Sequence, residues 1–437
     1  MSRIVINVSP DRDDELCFTL VRAPVPPVDR KPRKLACTVA QLPKGTPPPP
    51  PNGWVREYGR RLWTELSTHP EVERALRNAV DGPAGQIQSI MFDLQDQRAE
   101  LFNWETLCDE QNRFLALDRS PIGRIAQAGI DMAGSVPTFD GELRITAVLS
   151  ALGVPAEQEW SGLLGAVRAA RDAGLRVTMR VLVGENDLLD KVTEAAQHDP
   201  GLIVEAVPDR AVDLNRAITE SRPHILHFFC HGSAEQGQPR LHVATPQDFE
   251  RRALGPATPS VRLHIDGMRQ LLAPLGVWLV VLNCCQGGMA AQEVHSLAHS
   301  LAAAGVPAAL GMRETVQALA AYEFSRVFYR ELLDELGDLL AAPGAGAEDR
   351  IIDWAHILNA PRAALVESYS DDATTFGEWT LPVLYTRLEP FTVRLTAAPP
   401  AAPDILVRKA VLEGLLHRLP ADTPAEVLAE LKRLAQL

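Results

Sequence analysis

A chain of 437 residues is long enough for two or three domains. Its 46% hydrophobic and 23% charged content is that of a soluble globular protein, and its net charge of −13 disfavours nucleic acid, whose phosphates need a basic surface. No apolar run reaches the ~18 residues of a membrane span, the start lacks the apolar core of a signal peptide, and six irregularly spaced cysteines make no disulfide framework. A reducing cytoplasm is the expected compartment.

Residues 1–40 alternate apolar and polar positions, the pattern of a hairpin or two edge strands. The proline run 47–51 is stiff and extended, hence a connector. Residues 54–76 have helical spacing that Pro70 divides in two, residues 87–94 read as a strand, and residues 101–108 as a helical turn. From Gly141 the pattern becomes strand–helix alternation, the signature of a parallel sheet. Strands are expected at 143–149, 176–183 and 202–207, with helices at 157–173, 187–198 and 210–221 between them. Trp160, Leu163, Leu164, Val167 and Ala170 line one face of the first of these helices, and Gly174 sits where a terminating glycine belongs. Two further strands, 224–232 and 278–287, flank a hairpin arm at 239–244 and a helix at 264–275. Beyond them come a helix through Leu297 and Leu301, a strand at 306–311, a helix at 316–340, a helix at 349–368 and a closing strand at 379–387. Residues 396–404 form a second linker. Leu412, Leu415, Leu416 and Leu419 then make a helical stripe, and Thr423-Pro424-Ala425-Glu426 has capping-box spacing.

The expected architecture is therefore α/β. Residues 138–395 form a mostly parallel sheet of about six strands with helices on both faces. Residues 1–137 form a smaller α+β companion region, and residues 405–437 a helical hairpin suited to docking.

Two strand ends carry the chemistry. The apolar runs 224–230 and 278–284 end in Cys230-His231-Gly232 and in Cys284-Cys285-Gln286-Gly287-Gly288. Ligands gather at the carboxyl ends of parallel strands in open α/β sheets. A cysteine followed by Gln and Gly, with a histidine about 50 residues upstream, also has the caspase spacing. Hydrolysis through cysteine needs a thiolate, a proton carrier and donors for the oxyanion. Cys285 precedes a helix, whose N-terminal partial charge favours the thiolate. His231 suits the proton carrier. The backbone N–H groups of Gly232 and Cys285 suit the oxyanion hole. Cys284 and Cys230 read as small packing residues, because alternation turns strand neighbours to opposite faces. A zinc site from Cys230, His231, Cys284 and Cys285 lacks the usual two-residue spacing. His295 and His299 lie four apart, but no Glu follows the first. No metal or cofactor is expected. His224 and His227 read as core histidines.

These two motifs resemble the catalytic motifs of the CHAT peptidases, bacterial relatives of caspases and separase. Phe102-Asn-Trp-Glu-Thr-Leu107, Phe114-Leu-Ala-Leu117, the stretches 296–312 and 324–332, and Trp379-Thr-Leu-Pro-Val-Leu-Tyr385 are similar to further elements of that family. The departure is Cys284, where the family carries a small residue. Aligned on Cys-Gln-x-Gly, Cys285 takes the nucleophile's place. The resemblance implies a caspase-like cysteine endopeptidase that cleaves a protein partner, such as a gasdermin or a toxin-like effector. It also implies a role in bacterial antiviral defence or programmed cell death, under the control of a regulatory protein or signal. By the same resemblance Asn283, two residues before Cys285, helps line the substrate pocket. Arg313 and Glu314, just past a strand end, are further pocket candidates. A catalytically inactive scaffold is the alternative, and the intact His231–Cys285 pair argues against it. No direct nucleic-acid or membrane partner is expected.

Overall fold

The computed structural model describes residues 3–11, 15–38, 53–83, 87–127, 136–235, 238–272, 275–284, 291–314, 316–341, 347–369, 372–374 and 377–396. The proline run, Cys285 with the glycines after it, and the C-terminal residues 405–437 lie outside the described residues.

The chain opens with β1 (Arg3–Pro10), β2 (Leu16–Arg22) and β3 (Arg33–Lys34), then α1 (Trp54–Leu66) and α2 (Pro70–Asp81). Pro70 opens the second helix, where its missing N–H costs nothing, and His69 caps it by accepting from the Glu71 N–H at 3.2 Å. Next come β4 (Ser89–Leu94), the short α3 (Gln97–Glu100), β5 (Ile122–Ile125) and β6 (Thr138–Phe139). The expected alternation then appears as β7 (Leu143–Ser150), α4 (Glu157–Asp172), β8 (Val177–Val183), α5 (Asn186–Gln197), β9 (Leu202–Ala206), α6 (Ala211–Ser221) and β10 (Ile225–Glu235). A hairpin excursion follows: β11 (Gln238–Val243), α7 (Pro246–Leu254), β12 (Val261–His264) and α8 (Ile265–Leu272). The remainder is β13 (Leu279–Cys284), α9 (Ala291–Ala303), β14 (Ala308–Met312), α10 (Ala318–Leu340), β15 (Glu348–Ile352), α11 (Asn359–Tyr369), β16 (Pro382–Thr386) and β17 (Phe391–Leu395).

Among the described residues one 14-stranded sheet runs in the order β3-β2-β1-β4-β5-β16-β14-β13-β10-β7-β8-β9, with β11 paired to β10 and β12 to β11. The strands β14, β13, β10, β7, β8 and β9 are parallel, the six-stranded unit that the alternation predicts. Strand β16 is antiparallel to β14 and parallel to β5, so the N-terminal strands extend the same sheet. Alternation along β10 turns Ile225 and Phe229 to a cluster that includes Leu163 of α4 and Phe324 of α10. It turns Leu226, Phe228 and Cys230 to a second cluster with Leu214 of α6, Met268 of α8 and Leu301 of α9. Helices therefore cover both faces.

From β7 the chain steps outward through β8 and β9, then returns to lay β10 on the other side of β7 and continues to β13 and β14. The direction of winding reverses between β7 and β10. The carboxyl ends of strands at such a reversal are where open α/β sheets bind ligands.

One expectation is corrected. Residues 349–352 are strand rather than the start of a helix. They pair antiparallel with β17, and Arg394 Nε lies 2.7 Å from Asp349 Oδ1 across the ladder. A strand partner 45 residues away leaves no local signal.

Candidate active site

His231 stands on β10 beside that reversal, half-buried. Its Nε2 lies 2.8 Å from the carbonyl oxygen of Leu152, just beyond the end of β7. A carbonyl only accepts, so Nε2 carries the proton in this contact and Nδ1 is the basic nitrogen. The carbonyl is presented by a tight turn in which the Val154 N–H reaches the Ala151 oxygen at 2.9 Å. Gly153 occupies the third position of that turn at φ 88°, a conformation that costs a side chain about 1–2 kcal/mol.

The parallel register pairs Cys230 with Cys284, one residue short of His231 on one strand and of Cys285 on the other. Cys284 is 7% exposed and belongs to the cluster that holds Cys230, on the sheet face away from His231. Asn283 points to the opposite face, that of α4 and α10. It is fully buried, and its Nδ2 donates to Glu159 Oε1 at 3.0 Å, Ser325 Oγ at 2.9 Å and the Ala321 carbonyl at 3.3 Å.

Glu159 Oε1 also lies 3.0 Å from His227 Nε2, with both side chains sealed from solvent. Tyr329 Oη lies 2.9 Å from His227 Nδ1. Burial, reinforced by the Glu159 carboxylate, pushes the Tyr329 hydroxyl well above its ordinary value, so it stays protonated. These side chains tie β10 and β13 to α4 and α10 directly beneath the strand ends.

Gly232 is buried in the β10–β11 ladder opposite Leu241. Arg313 is held by the turn after α3 and by the residue before β16: its Nη2 donates to the Leu101 carbonyl at 2.6 Å and its N–H to that of Leu381 at 2.7 Å. Glu314 is exposed. Cys285, with its N–H, lies outside the described residues. Among the described residues no group of three His, Cys, Asp or Glu side chains is arranged to hold a metal.

Sequence reasoning missed the Leu152 carbonyl and Glu159. Every residue has a carbonyl, so the first has no signature. Glu159 reads as one more charge in the first turn of an amphipathic helix. Only its zero exposure distinguishes it.

The CHAT domain family model matches residues 56–347. No curated protein matches the chain. Among solved structures, two crystal structures of the Saccharomyces cerevisiae separase–securin complex are similar with TM-scores of 0.37 and 0.34 at 11% identity. Each match covers 76% of this chain, but only 18% and 17% of the other, so the chain spans under a fifth of their length. The Arg-specific cysteine proteinase gingipain R is similar with a TM-score of 0.40 at 10% identity, covering 76% of this chain and 70% of that one.

Proposed function

The chain belongs to the CHAT-domain family, and on that premise we propose that it is a cysteine endopeptidase with Cys285 as nucleophile and His231 as proton carrier. The observation that carries this reading is the His231–Leu152 contact at the reversal between β7 and β10, one residue beyond the Cys230–Cys284 register pair. Period-two alternation supports Cys285 over Cys284. Asn283 reaches α4 and α10 and His231 shares that side by alternation, whereas Cys284 lies in the opposite cluster, away from His231.

In this reading the Cys285 thiolate attacks the scissile carbonyl carbon, and the N–H groups of Gly232 and Cys285 receive the oxyanion. His231 Nδ1, which has taken the proton of the Cys285 thiol, gives it to the leaving amine, and the C–N bond breaks to leave a thioester. Water, deprotonated by the same nitrogen, then releases the acid and the thiol. The Leu152 carbonyl holds the ring in the tautomer that this exchange requires. The substrate is a protein partner, a gasdermin-like or other effector in a bacterial defence or cell-death pathway. Residues 138–395 form the peptidase unit, and residues 1–137 and 405–437 are its gate or docking surfaces, in the cytoplasm.

Alkylation tests the nucleophile. Cys17, Cys37, Cys108, Cys230 and Cys284 are all buried, and burial pushes the thiols of Cys37 and Cys108 up to about 12. Iodoacetamide under native conditions is therefore expected to modify Cys285 at least about tenfold faster than any other cysteine, because reactivity follows the thiolate. Peptide mapping that finds the label first on Cys284, or at the same rate on Cys285 in a His231→Ala variant, removes the assignment.

Gly153 is expected to act as a positioning residue. Gly153→Ala strains the turn that offers the Leu152 carbonyl, and the strain corresponds to about tenfold in rate. The expected outcome is a fall in kcat with KM unchanged. Lowered thermal stability with an unaltered kcat would show a purely structural role.

A further inference from the structure

Alternation along β10 sends His227, Phe229 and His231 to one side of the sheet, where Phe229 packs in the cluster of Leu163 and Phe324. Glu159 reaches that side from the first turn of α4. Its Oε1 accepts from Asn283 Nδ2 on β13 at 3.0 Å and lies 3.0 Å from His227 Nε2 on β10. One carboxylate therefore spans the two strands that lead to the proposed catalytic pair. Asn283 is the register partner of Phe229, two positions short of His231, which puts the carboxylate about 10 Å from that ring by the rise of a strand. The Leu152 carbonyl that holds His231 Nε2 stands in the loop between β7 and α4, so anchoring the first turn of α4 also anchors that loop.

The charge of this cluster is not cancelled among the described residues. Glu159 makes no ion pair with a lysine or arginine there, and its Oε2 has no hydrogen-bond partner although the side chain is sealed from solvent. The Tyr329 hydroxyl, kept protonated by burial, meets His227 Nδ1 at 2.9 Å and donates to it. Nδ1 therefore accepts, and the ring is the neutral tautomer with its proton on Nε2. Both neighbours of Oε1 are thus donors, the surroundings that suit a carboxylate. A buried charge is screened far less than one in water, and at about 10 Å it moves another group's titration by roughly half a unit to one unit.

We propose that Glu159 is a positioning residue for the proposed catalytic histidine: its buried carboxylate sets the spacing of β10 and β13 beneath the reacting ends and raises the affinity of His231 for the proton it passes to the leaving amine. The proposal rests on the reading of His231 as proton carrier and adds what tunes it. Other charged groups share the face of the ring. His242 of β11 opposes it across the ladder and Arg262 of β12 comes next, the register runs on through Arg240 to Glu235, and Arg252 of α7 stands over the Gly153 turn. None of them is a partner of Glu159, so a change at Glu159 leaves them in place.

The test reads the ring itself. In a Cys285→Ala chain with isotope-labelled histidine, the His231 signal is assigned by its loss on His231→Gln and titrated by NMR. Glu159→Gln and Glu159→Met both remove the charge, and a buried charge is often replaced without loss by an apolar side chain of similar volume, so one folded variant suffices. Each is expected to lower the His231 midpoint by about half a unit to one unit, while exposed His198 stays in place. A His231 midpoint that does not move in a folded variant overturns the proposal, and lowered thermal stability alone marks a purely structural role. Cleavage by the unaltered chain and by Glu159→Gln is then compared across pH. The alkaline limb of kcat/KM is expected to move to lower pH by the same amount, because loss of a negative charge weakens the hold on the proton. Cys285-dependent cleavage with an unmoved His231 midpoint removes the tuning role and leaves the peptidase reading intact. A lowered midpoint without Cys285-dependent cleavage does the reverse.

Discussion

Cys285→Ala is expected to abolish cleavage of the protein substrate, while Cys284→Ala retains it within about twofold. The two sulfurs are adjacent in sequence, so the contrast tests geometry rather than composition. Removing the nucleophile of a hydrolase leaves no acyl-enzyme route, and losses on the order of 10⁴-fold or more are usual. Cys284, by contrast, is a packing residue in the cluster of Leu226, Leu282 and Leu297. Its replacement by alanine removes one buried sulfur, costs about 1 kcal/mol of stability and touches no reacting atom. His231→Ala should match Cys285→Ala, and the double variant should be no worse than either, because residues that act as one unit are not additive. Time courses with the partner protein, followed by gel and mass spectrometry, decide the matter. Activity that survives Cys285→Ala and vanishes with Cys284→Ala would exchange the roles of the two cysteines.

The largest expected loss of stability follows Arg124→Met. Arg124 lies on β5 with no exposure, beside the junction at which β16 joins the N-terminal strands to the rest of the sheet. Its Nη2 and Nε meet the two Glu105 oxygens at 2.9 and 3.1 Å. Its Nη1 meets Glu100 Oε2 at 3.1 Å, and Nη2 also donates to the Phe102 carbonyl at 3.0 Å. Burial alone would raise the Glu105 carboxyl, but the Arg124 guanidinium outweighs it and holds the group below its ordinary range. Without Arg124 a sealed carboxylate loses its bidentate partner, and breaking such a pair costs about 3–5 kcal/mol. The pH dependence has a definite sign. A depressed carboxyl contributes stability above its unfolded pKa and loses it as pH falls through the folded value. The deficit of Arg124→Met is therefore fully present near neutrality and shrinks in acid. Adding Glu105→Gln should recover part of it at neutral pH. Urea denaturation of the single and double variants across pH measures both effects, and an equal deficit at all pH values would point to lost packing instead.

Much of this protein is legible in its sequence, for a local reason. The strand–helix alternation from Leu143 to Met312, the break at Pro70 and the two reactive strand ends are written in runs of a few residues, where side-chain period and chain-breaking residues act. The Cys-Gln-Gly run after Cys284 is equally local, and it brought out the family. Tertiary structure decided what depends on residues far apart in the chain. It turned Cys284 into the cluster away from His231, and it buried Asn283 against Glu159, 124 residues earlier. It supplied the Leu152 carbonyl to a histidine 79 residues later, and it made strand of residues 348–352 because β17 was there to pair with them. It also set Arg262 and Arg240 on the face of His231 through ladders whose register no single strand encodes. Period and composition determine what each segment becomes. Which segments meet, and which atoms face each other there, is settled only when the sheet closes its hydrogen bonds and the two hydrophobic clusters fill.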